Sequence, residues 1–101
     1  MKYYVIGDED TVLGFDLVGV RGSTVRSTGE AEEVFNSVLA DPDIGIVIIT
    51  ERTADLIRTT VNRYHFTERF PLVVEIPDRE GPKEDRPGIR EMVNAAIGVK
   101  L

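Results

Sequence analysis

Four short runs of β-forming residues alternate with helical patterns along the chain, and this alternation restricts the fold most. The runs cover residues 3–6, 24–26, 44–49 and 72–76. Strands that alternate with helices usually form a parallel sheet joined by crossover helices. The run at 44–49 is apolar without alternation, as in a strand covered on both faces, whereas the short, polar run at 24–26 suits a sheet edge. We therefore predict an α/β fold with a small four-stranded parallel sheet flanked by helices.

The first helical pattern, residues 11–20, is apolar on most of its sides. A helix that is apolar all round is normally buried, so we expect this one to be well covered. The acidic residues Asp8-Glu9-Asp10 precede it, and an aspartate there is expected to cap the helix by accepting a hydrogen bond from a free N–H group. We interpret Gly14 as room for close approach to the sheet, and Gly19 and Gly22 are expected to end the element.

The next two helical patterns are amphipathic. Residues 41–43, Asp-Pro-Asp, are expected to stop the second helix, and Thr50 is a natural N-cap for the third. Each pattern has one apolar face, which predicts that both helices pack on the sheet. These faces consist of Ala31, Val34, Phe35, Val38 and Leu39 in the second helix, and of Ala54, Ile57, Val61 and Tyr64 in the third.

A polar segment divides the chain after the fourth strand. Residues 77–88 contain three prolines, two glycines and almost nothing apolar, so we predict a solvated connector between a sheet domain at 1–76 and a helical segment at 89–101. That last segment has an apolar stripe, which either completes the second face of the sheet or lies along a partner helix. The stripe consists of Ile89, Met92, Val93, Ala96 and Ile97.

Charge and composition argue against several classes of function. Eighteen acidic residues against twelve basic ones give a formal net charge of −6. This balance argues against nucleic acid or an anionic membrane as the main partner, because both are bound by clustered Lys and Arg. The absence of Cys excludes disulfides, thiol catalysis and cysteine-based metal sites. The longest strongly apolar stretch, residues 44–49, is far shorter than the roughly 20 residues of a membrane helix, so no direct membrane insertion is expected.

The turn after the first strand, Gly7-Asp8-Glu9-Asp10, is the most suggestive place for ligand chemistry. Ligands of parallel α/β sheets bind at the carboxyl ends of the strands. A phosphate-binding loop needs closely spaced glycines that expose backbone N–H groups. Here the next glycine is Gly14, and the three carboxylates between the two glycines repel phosphate. A Rossmann-type nucleotide site is therefore not favoured.

A phospho-acceptor receiver domain also has acidic residues after its first strand. It needs in addition an aspartate after the third strand and a lysine after the fourth, where this chain has Thr50-Glu51 and Glu75-Ile76-Pro77. The fold is thus expected to be Rossmann-like or receiver-like, but the acidic residues after its first strand are interpreted as helix caps and solvated side chains. A degenerate receiver-like regulatory domain and a small-ligand-binding α/β domain stay open as alternative functions.

His65 is the single histidine, and the sequence supplies no second residue for a catalytic or metal-binding set around it. We interpret it as a packing residue or as a charge partner at a helix C-terminus. Ser23, Ser27 and Ser37 lack the sequence context of a nucleophile elbow. The sequence therefore predicts no catalytic residue, no metal ligand and no bound cofactor.

An ordered set of short motifs runs through essentially the whole chain. The motifs are Gly7-Asp8, Gly14-Phe15, Gly19-Val20, Asp43-Ile44-Gly45-Ile46, Thr50-Glu51, Pro71, Glu75-Ile76-Pro77, Gly81-Pro82 and Ile97-Gly98-Val99. In this combination the chain resembles the F subunit of the rotary V-type and archaeal-type ATPases. The strand that ends in Glu-Ile-Pro before a Gly-Pro connector and an Ile-Gly terminus is the most specific part.

The resemblance implies a non-catalytic component of the central stalk that rotates with a long coiled-coil stalk protein, the D subunit. It implies a part in coupling ATP turnover to proton or sodium-ion transport, with no nucleotide chemistry, at the cytoplasmic side of the membrane. By the same resemblance, the last helix contacts the coiled-coil stalk protein and influences ATPase activity. We carry this role to Ile89, Arg90, Met92, Val93 and Ile97, and we add Arg86 as a further partner-binding candidate because of its charge. The two arginines either pair with acidic groups on the partner or are ordinary surface charges.

Overall fold

The four strands form one parallel sheet in the computed structural model, which describes residues 1–78. The strands are β1 (Lys2–Gly7), β2 (Arg21–Thr24), β3 (Ile44–Thr50) and β4 (Leu72–Ile76). Their order in the sheet is β2-β1-β3-β4, and all neighbours are parallel. The apolar run at β3 takes a central place, as its pattern predicts, and β2 lies at an edge. The predicted α/β class and four-stranded parallel sheet are confirmed.

Four helices connect the strands. They are α1 (Glu9–Leu17), α2 (Thr28–Leu39), α3 (Glu51–Leu56) and α4 (Arg58–Thr67). The segment that was predicted as a single helix, the third, forms two helices, α3 and α4. The break lies at Ile57, whose backbone angles, φ −131° and ψ 38°, are not helical. No helix within residues 1–78 is long and apolar enough to cross a membrane.

The main core lies on one face of the sheet, under α2, α3 and α4. Because parallel crossovers are right-handed, the β1-to-β2 connection runs in the opposite direction to the other two and places α1 on the other face. The apolar faces predicted for the second and third helices are confirmed. The rings of Phe35 and Tyr64 pack edge to face, with their centroids 5.9 Å apart. The buried residues of this core include Ile6, Ala31, Phe35, Val38, Val47, Ile49, Ala54, Ile57, Val61 and Val73.

The second strand lies earlier in the chain than predicted. It covers Arg21–Thr24 rather than residues 24–26, and Val25 follows it as a buried residue whose N–H donates to the Gly7 carbonyl at 3.0 Å. The prediction that Gly22 ends the first helix is wrong, because Gly22 pairs with Val5 inside the sheet. A Cβ at Gly22 would clash with the side chain and the carbonyl oxygen of Val5. Gly19 does follow the helix, at φ +88°.

Candidate docking surface

The polar side chains at the carboxyl ends of β1 and β3 cap helices. Asp8 accepts hydrogen bonds from the Thr11 N–H at 3.1 Å and the Thr11 hydroxyl at 2.6 Å, so the predicted cap is confirmed. Burial alone would raise the pKa of Asp8, but these hydrogen bonds outweigh it and lower the pKa below its usual value. The Thr50 Oγ1 likewise accepts from the Thr53 N–H at 3.2 Å, as its predicted N-cap role requires.

This arrangement does not resemble an ion-binding pocket. In a receiver domain the acid after the first strand points toward a bound cation, whereas Asp8 is turned to its own helix. Within residues 1–78 no group of three or more acidic or histidine side chains is placed to hold a metal ion.

His65 lies beside an ion-pair cluster that joins α4 to β4. The Arg58 guanidinium donates to both carboxylate oxygens of Glu75, at 2.8 and 2.9 Å, and to Asp55 at 2.6 Å. These hydrogen bonds, with that to Glu75 the largest influence, raise the pKa of Arg58 above its ordinary value. The His65 Nε2 lies 3.6 Å from the same Glu75. The cluster thus links α3, α4 and β4, which is a structural role.

The first helix is not well covered, contrary to the prediction. None of its residues is buried, and Leu13, Leu17 and Val18 are 56%, 79% and 77% exposed. The physical reason is its position: α1 alone covers its face of the sheet, and within residues 1–78 no further layer packs on its outer side. The prediction for Gly14 is also wrong, because a Cβ added there would meet no atom within 4 Å.

Among residues 1–78, the sheet beside α1 is also only partly covered. Helix α1 packs on β1 and β2, so it leaves the same face of β3 and β4 open. Alternate strand residues point to opposite faces. Since Val47 and Val73 belong to the main core, their neighbours point to the open side, where Leu72 and Val74 are exposed. Ile46 pairs with Leu72 across the two strands, and Ile48 pairs with Val74.

A groove of about 360 Å³ joins the helix to the end of the fourth strand. It is lined by residues of α1 and β4 and by residues that directly follow these elements: Asp10, Thr11, Gly14, Phe15, Val18, Ile76, Pro77 and Asp78. We call the whole surface the open face. It consists of Leu13, Gly14, Leu17 and Val18 on α1, Ile46 and Ile48 on β3, and Leu72, Val74 and Ile76 on β4.

The open face is the candidate docking surface that the sequence interpretation missed. A continuous exposed apolar patch marks an interaction site more often than it marks ordinary surface. The sequence did contain an indication of this surface. Residues 11–20 are apolar on most sides, and such a helix is normally packed both against its own sheet and against a further element.

The residues predicted to bind a partner lie outside the described part of the chain. They are Arg86, Ile89, Arg90, Met92, Val93 and Ile97. The helical segment at 89–101 and all but the first two residues of the connector at 77–88 lie outside it as well. The division of the chain into these parts stays a prediction.

Comparison with known proteins identifies a family over nearly the whole length of the chain. The family of the ATP synthase (F/14-kDa) subunit matches residues 4–93. The chain is 37% identical over 99 residues to the F subunit of the A-type ATP synthase of Methanothermobacter thermautotrophicus, covering 96% of this chain and 92% of that one. It is 38% identical over 106 residues to the F subunit of Thermococcus sibiricus, covering 100% and 98%. It is 36% identical to that of Pyrococcus furiosus with the same coverage. The resemblance drawn from the sequence motifs is confirmed.

Proposed function

Since the chain belongs to the family of ATP synthase (F/14-kDa) subunits and is thus a component of a rotary ATPase, we propose that it is a non-catalytic part of the central stalk. In this role it binds the coiled-coil D subunit, which we call the stalk coiled coil, rotates with it and helps couple ATP turnover to proton or sodium-ion transport. It acts at the cytoplasmic side of the membrane and is held there through the other subunits.

The open face is the observation that carries this proposal. A protein that transmits motion by holding another polypeptide needs an apolar surface that its own fold does not cover. Full burial of a Leu or Val side chain contributes about 1.5–3 kcal/mol. The three exposed side chains of α1 therefore offer several kcal/mol toward the cost of association. The apolar side chains of β3 and β4 on the open face add further area to this contact.

A helix of the stalk coiled coil fits this surface because of Gly14. Glycine in a helix costs about 0.8–1.0 kcal/mol relative to alanine. Within residues 1–78, no atom lies within 4 Å of a Cβ placed at Gly14, so no contact of the described fold requires glycine there. Packed helices approach to axis separations of about 8–10 Å, depending on the side chains at the crossing point. We place the crossing of one helix of the stalk coiled coil over Gly14, with Leu13, Leu17 and Val18 around it.

The segment beyond the connector provides a second contact in this proposal. Its apolar side chains Ile89, Met92, Val93 and Ile97 lie along the stalk coiled coil, and Arg86 and Arg90 pair with acidic groups there. Several contacts acting together suit a rotor, because torque would overcome a single small contact.

Binding to the purified stalk coiled coil, measured by titration calorimetry, tests the proposal. Leu17→Asp places a charge on the open face and is expected to weaken binding at least about tenfold. Met92→Asp tests the last segment in the full chain, and removal of residues 87–101 tests it by truncation. Leu56→Asp is the matched control, because Leu56 is exposed on α3, on the opposite face.

The two contacts give separate outcomes. Unchanged affinity for Met92→Asp and for the truncated chain would remove the last segment from the interface. Unchanged affinity for Leu17→Asp would remove the open face. If the stalk coiled coil does not bind the unmodified chain at all, the proposed stalk position is wrong.

A further inference from the structure

A basic and aromatic surface lies at the end of α4 and in the loop that leads to β4. Phe66 is 93% exposed and Phe70 is 63% exposed, and Arg63 and Arg69 are exposed beside them in the sequence. Within residues 1–78 neither arginine forms an ion pair. We call these four residues the basic aromatic patch. An aromatic ring this exposed is costly in water and is typical of a contact with another molecule.

The charge of this patch is opposite to that of its surroundings. Residues 1–78 carry fourteen acidic and seven basic side chains. Between positions 63 and 70, in contrast, two arginines stand against Glu68 alone. A local surface of inverted sign attracts a partner of the sign that the rest of the protein repels. The favoured partner surface is therefore acidic.

Hydrogen bonds hold the patch in place. The Tyr64 hydroxyl donates to the Pro71 carbonyl at 2.5 Å, the Thr67 hydroxyl donates to the Arg63 carbonyl at 2.9 Å, and the Glu68 N–H donates to the Tyr64 carbonyl at 2.8 Å. Tyr64 also packs against the core. The exposed rings and guanidinium groups thus lie on an ordered backbone, which lowers the entropy lost on binding.

The patch and the open face have different positions in the fold. Helix α4 packs on the face of the sheet opposite to α1, with Val61 buried in the main core. The loop that follows α4 leads to the amino end of β4, whereas the groove beside Gly14 lies at the carboxyl end. The patch therefore lies beside Leu72, at the end of the open face that is farthest from the groove.

We infer that the basic aromatic patch binds an acidic segment of a second protein of the complex, with Phe66 seated in an apolar pocket of that segment. Arg63 and Arg69 pair with carboxylates, which guanidinium groups bind in a two-pronged geometry. A protein surface fits better than an anionic lipid surface, because the chain carries a net charge of −6 and would be repelled outside the patch. The chain is then an adapter that contacts two other proteins with two chemically different surfaces.

Photo-crosslinking in the assembled ATP synthase tests this inference. The complex is purified with Phe66→p-benzoyl-phenylalanine in the full chain, irradiated, and mapped by mass spectrometry. The inference predicts a crosslink to a segment of another protein of the complex that is rich in Asp and Glu. Crosslinks to residues 79–101 of the same chain, to a second copy, to lipid or to nothing would each overturn it.

Charge variants in the same complex test the role of the arginines. Arg63→Glu with Arg69→Glu is expected to lower the crosslink yield from position 66 about tenfold. Raising the salt concentration from about 0.05 M to about 0.5 M is expected to lower it as well, because exposed charges are screened. Arg21→Glu, at an exposed arginine on β2, is the matched control. Equal yields for the double variant and the control would overturn the assignment. Melting temperatures confirm that the variants fold.

Discussion

Replacing Gly14 by alanine is expected to change stability and binding in opposite directions. Among the described residues of the isolated chain, the new methyl group meets no atom within 4 Å, so we expect the change in helix propensity to determine the change in stability. Alanine is favoured over glycine by about 0.8–1.0 kcal/mol in a helix. For a domain of this size, 1 kcal/mol corresponds to a rise of about 4–8 °C in melting temperature. Thermal and denaturant unfolding of the purified chain measure this gain.

The same substitution is expected to weaken binding to the stalk coiled coil. If a partner helix crosses α1 at Gly14, the methyl group enters a packed contact, and overpacking costs about 1–3 kcal/mol. The dissociation constant then rises by about fivefold to 150-fold. Titration calorimetry with the purified stalk coiled coil measures the change.

Gly29→Ala is the matched control for this pair of measurements. Gly29 lies in the first turn of α2, again with no atom within 4 Å of an added Cβ, but it is remote from the open face. We expect a gain in stability and no change in affinity. If Gly14→Ala also left the affinity unchanged, the helix crossing at Gly14 would be refuted, and a loss of stability would refute the description of α1.

Three further predictions concern contacts within the described fold. Asp8→Ala removes the α1 cap and is expected to lower the free energy of unfolding by about 1 kcal/mol at pH 7. Because the folded pKa of Asp8 is depressed, this difference is fully present above the unfolded pKa of about 3.9 and disappears as pH falls through the folded value. Denaturant unfolding of both chains at several pH values checks this. Arg58→Met leaves Asp55 and Glu75 without their shared guanidinium, and a loss of about 2–3 kcal/mol is expected in the same assay. Gly22→Ala forces a methyl group against a backbone oxygen, for which a lower melting temperature and a loss of about 1–3 kcal/mol are expected.

Local patterns in the sequence predict a helix or strand when the spacing of its apolar residues shows which of its faces is buried. The apolar spacing of α2 and the continuous apolar run of β3 are sufficient for this, because each specifies its own buried face. The caps at Asp8 and Thr50 are predicted for the same reason, since a cap interacts with the residues that follow it.

Features that depend on distant contacts were not predicted. The second strand, Arg21-Gly22-Ser23-Thr24, has no apolar alternation, and the need for Gly22 arises only from Val5 in the neighbouring strand. The break at Ile57 has no glycine or proline to signal it.

The candidate docking surface could be predicted only in part. The composition of α1 correctly indicated a helix that needs covering, but it does not show where the cover comes from. That requires the sheet topology. Within residues 1–78, α1 is the helix on its face of the sheet, and it covers β1 and β2 but not β3 and β4. The exposure of Phe66 was equally hidden, because an aromatic residue in the last turn of an amphipathic helix is usually expected in the core.

The central claim is that another protein of the ATP synthase covers the open face in the assembled enzyme. The chain contains no cysteine, so Leu17→Cys supplies a unique thiol on that face, and Leu56→Cys supplies one on the opposite side. The rates at which a maleimide labels these thiols are compared between the isolated chain and the assembled enzyme. Our account predicts that assembly slows labelling at position 17 at least about tenfold, the scale of a buried interface residue, while position 56 is unaffected. Equal labelling rates at position 17 in the two states would contradict it.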